Sequence, residues 1–186
     1  MSEDTILIEQ AQAGQSAAFT ELYQRYVDKI YKFVFYKTMH KETAEDLTSK
    51  IFFKVLRKIN TYKEGNASFQ TWLYTVARNT VIDYYRSQKK DYNIDDIWDL
   101  SNKEDVAENV EVSMQIEKVK EYLKDLKTDQ REIMMLRLWQ GLSYKEIAEV
   151  IGKSEANCKM IYSRTVKKMR ENLILVFILG LLISNI

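Results

Sequence analysis

The stretch that decides the fold is GLSYKEIAEVIGKSEANCKMIYSRTVKKMRE, Gly141 to Glu171. It reads as two short helices joined by a tight turn. Ser143 and Glu146 have the S-x-x-E spacing of a capping box, in which hydroxyl and carboxylate each accept from a free amide of the first turn. Gly152 sits where the chain must turn sharply, and Ser154 caps the helix that follows. Ala148 is small, as a helix must be where another crosses it closely. In the second helix Cys158, Tyr162, Thr165 and Met169 recur at intervals of four, three and four, which makes them one inward stripe and Cys158 a buried filler. Glu155, Asn157, Lys159, Met160, Ser163, Arg164 and Lys167 are left to look outward. A helix that anchors by one face and offers donors and cations on the other suits base edges and phosphates. A helical hairpin with a solvated basic face has the same pattern, so at this level both readings stand.

Around this segment the helical period runs from Val112 to about Asn172 and predicts four short helices: Ser113 to Leu126, Asp129 to Trp139, Tyr144 to Ile151, and Glu155 to about Glu171. From Arg137 to Asn172 eight basic residues stand against four acidic ones. The stretch before it, residues 91–112, has the opposite character: eight carboxylates accompany the single Lys103. Such a run repels itself and buries little, so it reads as an acidic linker. From Asp4 to Lys90 the helical spacing returns, with four helices expected. The first is Asp4 to Ala13, stopping at Gly14. The next starts at Ser16 and carries Phe19, Leu22, Tyr23, Tyr26, Ile30, Phe33 and Val34 on one stripe. A third starts near Lys41 with Ala44, Leu47, Ile51, Phe52, Val55 and Ile59. The fourth, FQTWLYTVARNTVIDYYRSQKK, follows the cap Ser68. On it Phe69, Trp72, Leu73, Val76, Ala77, Thr80 and Tyr84 share a stripe, while Arg78, Asn79, Tyr85, Arg86 and Lys89 lie off it. Tyr85 is expected to face outward, and Trp72, at the helix start, to serve both core and surface.

Composition bounds the rest. The chain has 186 residues, 46% apolar and 30% charged, with no proline and five glycines. That balance fits soluble helices joined by short connectors, so the expected fold is all-α: two small helical domains, 1–90 and 113–172, joined by the acidic linker 91–112. The lone Cys158 excludes an internal disulfide, and the lone His40 has no Cys or His neighbour in the sequence to complete a metal site. No metal or cofactor is expected. The acidic start MSEDTILIEQ lacks the features of a signal peptide, which places the chain in the cytoplasm. No phosphate loop, nucleophile elbow or paired-carboxylate metal motif occurs, so an enzyme is not expected; Asp95-Asp96, the nearest approach, lies in the linker. The end of the chain, residues 173–186, is LILVFILGLLISNI, fourteen uncharged residues. As a helix it spans about 21 Å, short of the roughly 30 Å hydrocarbon core. Burial on the second domain, lodging in a membrane interface and docking on a partner all remain open.

Four pieces together resemble the bacterial RNA polymerase sigma factors of the extracytoplasmic-function (ECF) class: FTELYQRYVDKIYKF, ETAEDLTSKIFFKVL, SFQTWLYTVARNTVIDYYR, and QREIMMLRLWQGLSYKEIAEVIGKSEAN with the helix-turn-helix. The resemblance implies that the first domain is region 2, a helical bundle that grips the polymerase clamp and melts the minus-ten promoter element. It implies that the second is region 4, a helix-turn-helix that reads the minus-thirty-five element. By position Asp46, Leu47 and Phe52 then contact polymerase. The loop Tyr62 to Phe69 receives a base flipped from the non-template strand. Trp72, Arg78, Asn79, Asp83, Tyr85, Arg86 and Lys89 serve the minus-ten element, and Ser154, Glu155, Asn157, Lys159, Ser163, Arg164 and Lys167 the minus-thirty-five element. The linker threads toward the RNA exit channel, where carboxylates can imitate a phosphate backbone. Ser49 and Lys50 depart from the family's Gln and Glu, Lys153 from an apolar residue, and Cys158 from valine. Core polymerase and promoter DNA are the implied partners, together with an anti-sigma factor, membrane-bound or not, and no small-molecule substrate. The alternative is a stand-alone helix-turn-helix regulator, which binds duplex DNA without polymerase.

Overall fold

A computed structural model describes residues 3–38, 40–65, 67–88 and 126–171. The expected helix Ser113 to Leu126 (but for Leu126), the linker, Lys89 and the tail lie outside the described residues. The chain divides into two compact units, Met1–Glu104 and Asp105–Ile186.

The first unit holds α1 (Glu3–Gln12), α2 (Ser16–Thr38), α3 (Lys41–Lys58), a 3₁₀ turn (Ile59–Thr61) and α4 (Phe69–Gln88). Two of the starts are set by a side chain that accepts from the orphan amides of a first turn. Ser68 Oγ accepts from the Thr71 amide at 3.2 Å. His40, which the sequence raises only as a metal ligand, caps α3 instead: its Nδ1 accepts from the Thr43 amide at 3.2 Å. Gly14, at φ 87°, ends α1 in left-handed backbone, the conformation glycine adopts most readily. α2 packs on both α1 and α3, and α4 closes the bundle against α2 and α3. Ile30, Phe33 and Val34 of α2, Ala44, Ile51 and Val55 of α3, and Leu73, Tyr74 and Ala77 of α4 are entirely shut off from solvent. Phe33 meets Tyr74 edge-on, with ring centroids 5.3 Å apart, the geometry that aromatic quadrupoles favour.

The second unit holds α5 (Thr128–Leu138), α6 (Tyr144–Ile151) and α7 (Glu155–Glu171), with α5 packed on both α6 and α7. The α6 and α7 bounds are those the capping signals predict. Ser143 Oγ accepts from the Glu146 amide at 3.2 Å, and Glu146 Oε2 accepts from the Ser143 amide at 2.8 Å. Gly152 closes α6 at φ 73°, and Ser154 Oγ accepts from the Asn157 amide at 3.3 Å. Lys153, a departure from the resembled pattern, ties this turn to α5 through Asp129, 2.7 Å away.

Candidate nucleic-acid interface

On α7, Cys158, Thr165 and Met169 are buried, and Tyr162 is half-buried with its ring edge on Tyr144, 5.6 Å between centroids. The anchoring stripe is therefore where the period puts it, and burial raises the Cys158 thiol above its usual pKa. Ser154, Glu155, Lys159, Ser163, Arg164 and Lys167 are exposed, with Asn157 half-buried beside them. Met160 and Lys168 are exposed as well. Arg137 braces the hairpin from α5: its guanidinium lies over the Tyr144 ring at 4.8 Å and donates to the Leu142 carbonyl at 2.7 Å. The outcome is a helix fixed on one face and cationic on the other.

On α4 the outward residues are Trp72, Thr75, Asn79, Asp83 and Arg86, which recur every three or four positions. Asn79, Asp83 and Arg86 are exposed, Trp72 and Arg78 half-buried. Trp72 packs against Tyr62 and Phe69, at 5.5 and 5.7 Å between centroids, so one side of its indole is fixed by the core. Asp83 lies 3.8 Å from Lys54 of α3.

Tyr85 is a correction. It is 6% exposed, and its hydroxyl donates to the Lys37 carbonyl at 3.1 Å; burial pushes its pKa far above that of a free tyrosine. The real stripe is rotated relative to the expected one because α4 packs against two helices, α2 and α3, and so buries a wider arc than one partner would demand. Thr71, Tyr74, Val81 and Tyr85 all lie buried in that arc, and the expected stripe includes none of them. Tyr84, expected in the core, is half-exposed instead.

α3 gives a second correction. Asp46 is exposed, but Leu47 and Phe52 are 2% and 5% exposed and belong to the core. The large apolar side chains this helix exposes are Phe53, 60% exposed, and Leu56, 49% exposed, set among Ser49, Lys50 and Arg57. The sequence reading misses both, although their absence from the Ala44–Leu47–Ile51–Val55 stripe is an available signal. Phe53 and Lys54 also line a groove between α3 and α4, with Arg57, Asp83, Tyr84 and Ser87.

Two helical units, one built around α4 and one around a capped helix-turn-helix, define the class, the sigma-70 type of transcription protein. Residues 22–91 match Sigma-70 region 2, and residues 116–169 match Sigma-70, region 4. The chain belongs to the ECF RNA polymerase sigma factors. It is 36% identical over 166 residues to the ECF RNA polymerase sigma factor BldN of Streptomyces coelicolor, covering 88% of this chain and 63% of that one, so it spans less than two thirds of that relative. It is 31% identical over 161 residues to the RNA polymerase sigma factor YlaC of Bacillus subtilis, covering 82% of this chain and 90% of the relative. The structure of the sigma factor RpoE in complex with the anti-sigma factor NepR from Bartonella quintana shares the fold, with a TM-score of 0.66 at 22% identity over 83% of this chain and 96% of that one.

Proposed function

We propose that this chain is a promoter-specificity subunit: it binds core RNA polymerase and directs initiation at a dedicated set of promoters, while the polymerase performs the chemistry. The observation that carries this reading is the presence of an outward polar face on α4 and an outward cationic face on α7, within units matching region 2 and region 4. Domains 1–90 and 113–172 act on the minus-ten and minus-thirty-five elements, and the acidic stretch 91–112 joins them. Melting a duplex costs stacking energy at each step, and an aromatic ring that stacks an exposed base returns about 1–3 kcal/mol. Trp72 has that role here, with Asn79, Asp83 and Arg86 beside it and the loop Tyr62 to Phe69 receiving the flipped base. Phe53 and Leu56 dock on polymerase, with Asp46 at the margin of the same face. An anti-sigma factor that covers these faces is the expected regulator. Among the described residues no helix is long and apolar enough to cross a membrane, and the site of action follows the polymerase, in the cytoplasm.

Run-off transcription with purified core polymerase on genomic fragments tests the reading. Discrete start sites that need both chain and core support it. A sequence-specific, salt-sensitive complex formed equally well without core would instead indicate a stand-alone regulator.

A further inference from the structure

Helix α1 precedes the residues matched to region 2, which begin at position 22, yet it is built into the base-receiving loop. Gln12 Nε2 donates to the Ile59 carbonyl at 2.8 Å and to the Tyr62 carbonyl at 3.0 Å. Both partners can only accept, so the two amide protons of a single side chain are used to hold the point where the 3₁₀ turn passes into the loop. Seven residues earlier on the same helix, buried Thr5 donates through Oγ1 to Glu64 Oε1 at 2.6 Å. The two grips stand about 10 Å apart along the helix. They hold the first half of the loop, while Tyr62 spans to its second half by donating from its hydroxyl to the Ala67 carbonyl at 2.9 Å.

The helix that makes these grips is itself fixed. Leu7 and Ile8 are buried. Asp4 accepts from Arg25 at 2.6 Å and also from the Tyr26 hydroxyl. Arg25 further reaches Glu21 at 3.0 Å and Glu3 at 3.4 Å. Tyr26 then meets Phe69, the first residue of α4, with ring centroids 5.6 Å apart. One helix thus touches α2, the start of the loop and, through Tyr26, its end. A surface helix needed only to cover the core would use Leu7 and Ile8; it would not need polar grips on a loop.

We infer that α1 is a strut that sets the geometry of the specificity loop, with Gln12 and Thr5 as positioning residues that control which base the loop accepts. The inference rests on the reading of residues 62–69 as the base-receiving loop. A pocket discriminates among bases only while its walls hold station, and a displacement on the order of 1 Å is enough to cost about a hundred-fold at a reacting or binding centre.

The test is transcription by the holoenzyme from four promoters that differ only in the captured base of the minus-ten element. Gln12→Glu keeps the size of the side chain but supplies no donor, Gln12→Lys restores donors, and Thr5→Val removes the second grip while keeping its volume. Expected is a loss of discrimination of about ten-fold or more in Gln12→Glu and in Thr5→Val, partial recovery in Gln12→Lys, and unchanged affinity for core polymerase and for minus-thirty-five duplex. A fall in output that is equal for all four bases and tracks the melting temperature would overturn the strut, since a merely structural helix produces that. Lys63→Ala and Lys63→Glu, in the loop itself but outside both grips, separate the two claims. If they change base preference and the Gln12 and Thr5 variants do not, the strut falls and the loop reading stands. If the loop variants and the grip variants all leave preference intact, both fall.

Discussion

Exchanging the roles of two aromatic residues on α4 gives a sharp prediction. Tyr85 is buried, and its hydroxyl donates to the Lys37 carbonyl. Removing that hydroxyl as Tyr85→Phe keeps the ring in place and leaves a carbonyl with one partner fewer, which costs about 1–3 kcal/mol of stability. It should leave promoter opening unaltered, because the hydroxyl is turned into the bundle against α2. Trp72 is half-buried at the start of the outward stripe. Trp72→Leu keeps an apolar side chain against Tyr62 and Phe69, so the core is largely preserved, but it removes the ring proposed to stack a base. A loss of about 1–3 kcal/mol corresponds to about 5–150-fold fewer open complexes. Urea unfolding measures the first effect, and permanganate reactivity of unpaired thymines in the holoenzyme complex measures the second. The assignment fails if Tyr85→Phe abolishes opening while stability is untouched, or if Trp72→Leu opens the promoter normally.

On α3, Phe53→Ser should weaken association with core polymerase by ten-fold or more, about 1.4 kcal/mol, with unfolding unchanged, whereas Phe52→Ala should cost about 3–5 kcal/mol of stability; anisotropy titration and urea melts distinguish them. On α7, Lys159→Ala and Arg164→Ala should each reduce the salt slope of minus-thirty-five binding by about 1 if that residue neutralises a phosphate, read from binding isotherms at several salt concentrations. Ser143→Ala removes the hydroxyl half of the α6 capping box and should destabilise the second unit by about 1 kcal/mol, as seen in thermal melts. Burial holds Tyr74 and Tyr85 above the usual tyrosine pKa of 10.0. The folded chain therefore keeps protons that the unfolded chain releases above pH 10. Stability is intact below that pH and should fall above it by about 1.4 kcal/mol per pH unit for each residue, with Tyr85→Phe removing one share of the slope.

The second unit is the more legible in the sequence because its signals are local. Ser143, Glu146, Gly152 and Ser154 act within one turn of their own positions, and α6 and α7 fall where they predict. The fixed stripe of α7 is equally readable, since Cys158, Thr165 and Met169 follow one helical period. Burial on α4 is not, because it depends on how many neighbours a helix has, and a helix packed on two others hides residues such as Tyr85 that a single stripe leaves outside. For α3 the sequence contains a conflict between two expectations: Leu47 and Phe52 are assigned both to the core stripe and to polymerase. The structure resolves it by burying both and exposing Phe53 and Leu56. The grips of Gln12 and Thr5 join residues about fifty or more positions apart, and no local pattern marks such a contact. His40 as a cap is hard to see because its ring nitrogen is a less common acceptor there than a hydroxyl or carboxylate.

Direct association with core polymerase is the decisive measurement for a sigma role. Labelled chain titrated with purified bacterial core enzyme should form a saturable one-to-one complex that Phe53→Ser weakens and that then protects promoter DNA over both elements. A chain that stays free of core enzyme at every salt concentration, while binding duplex DNA alone, would rule that role out.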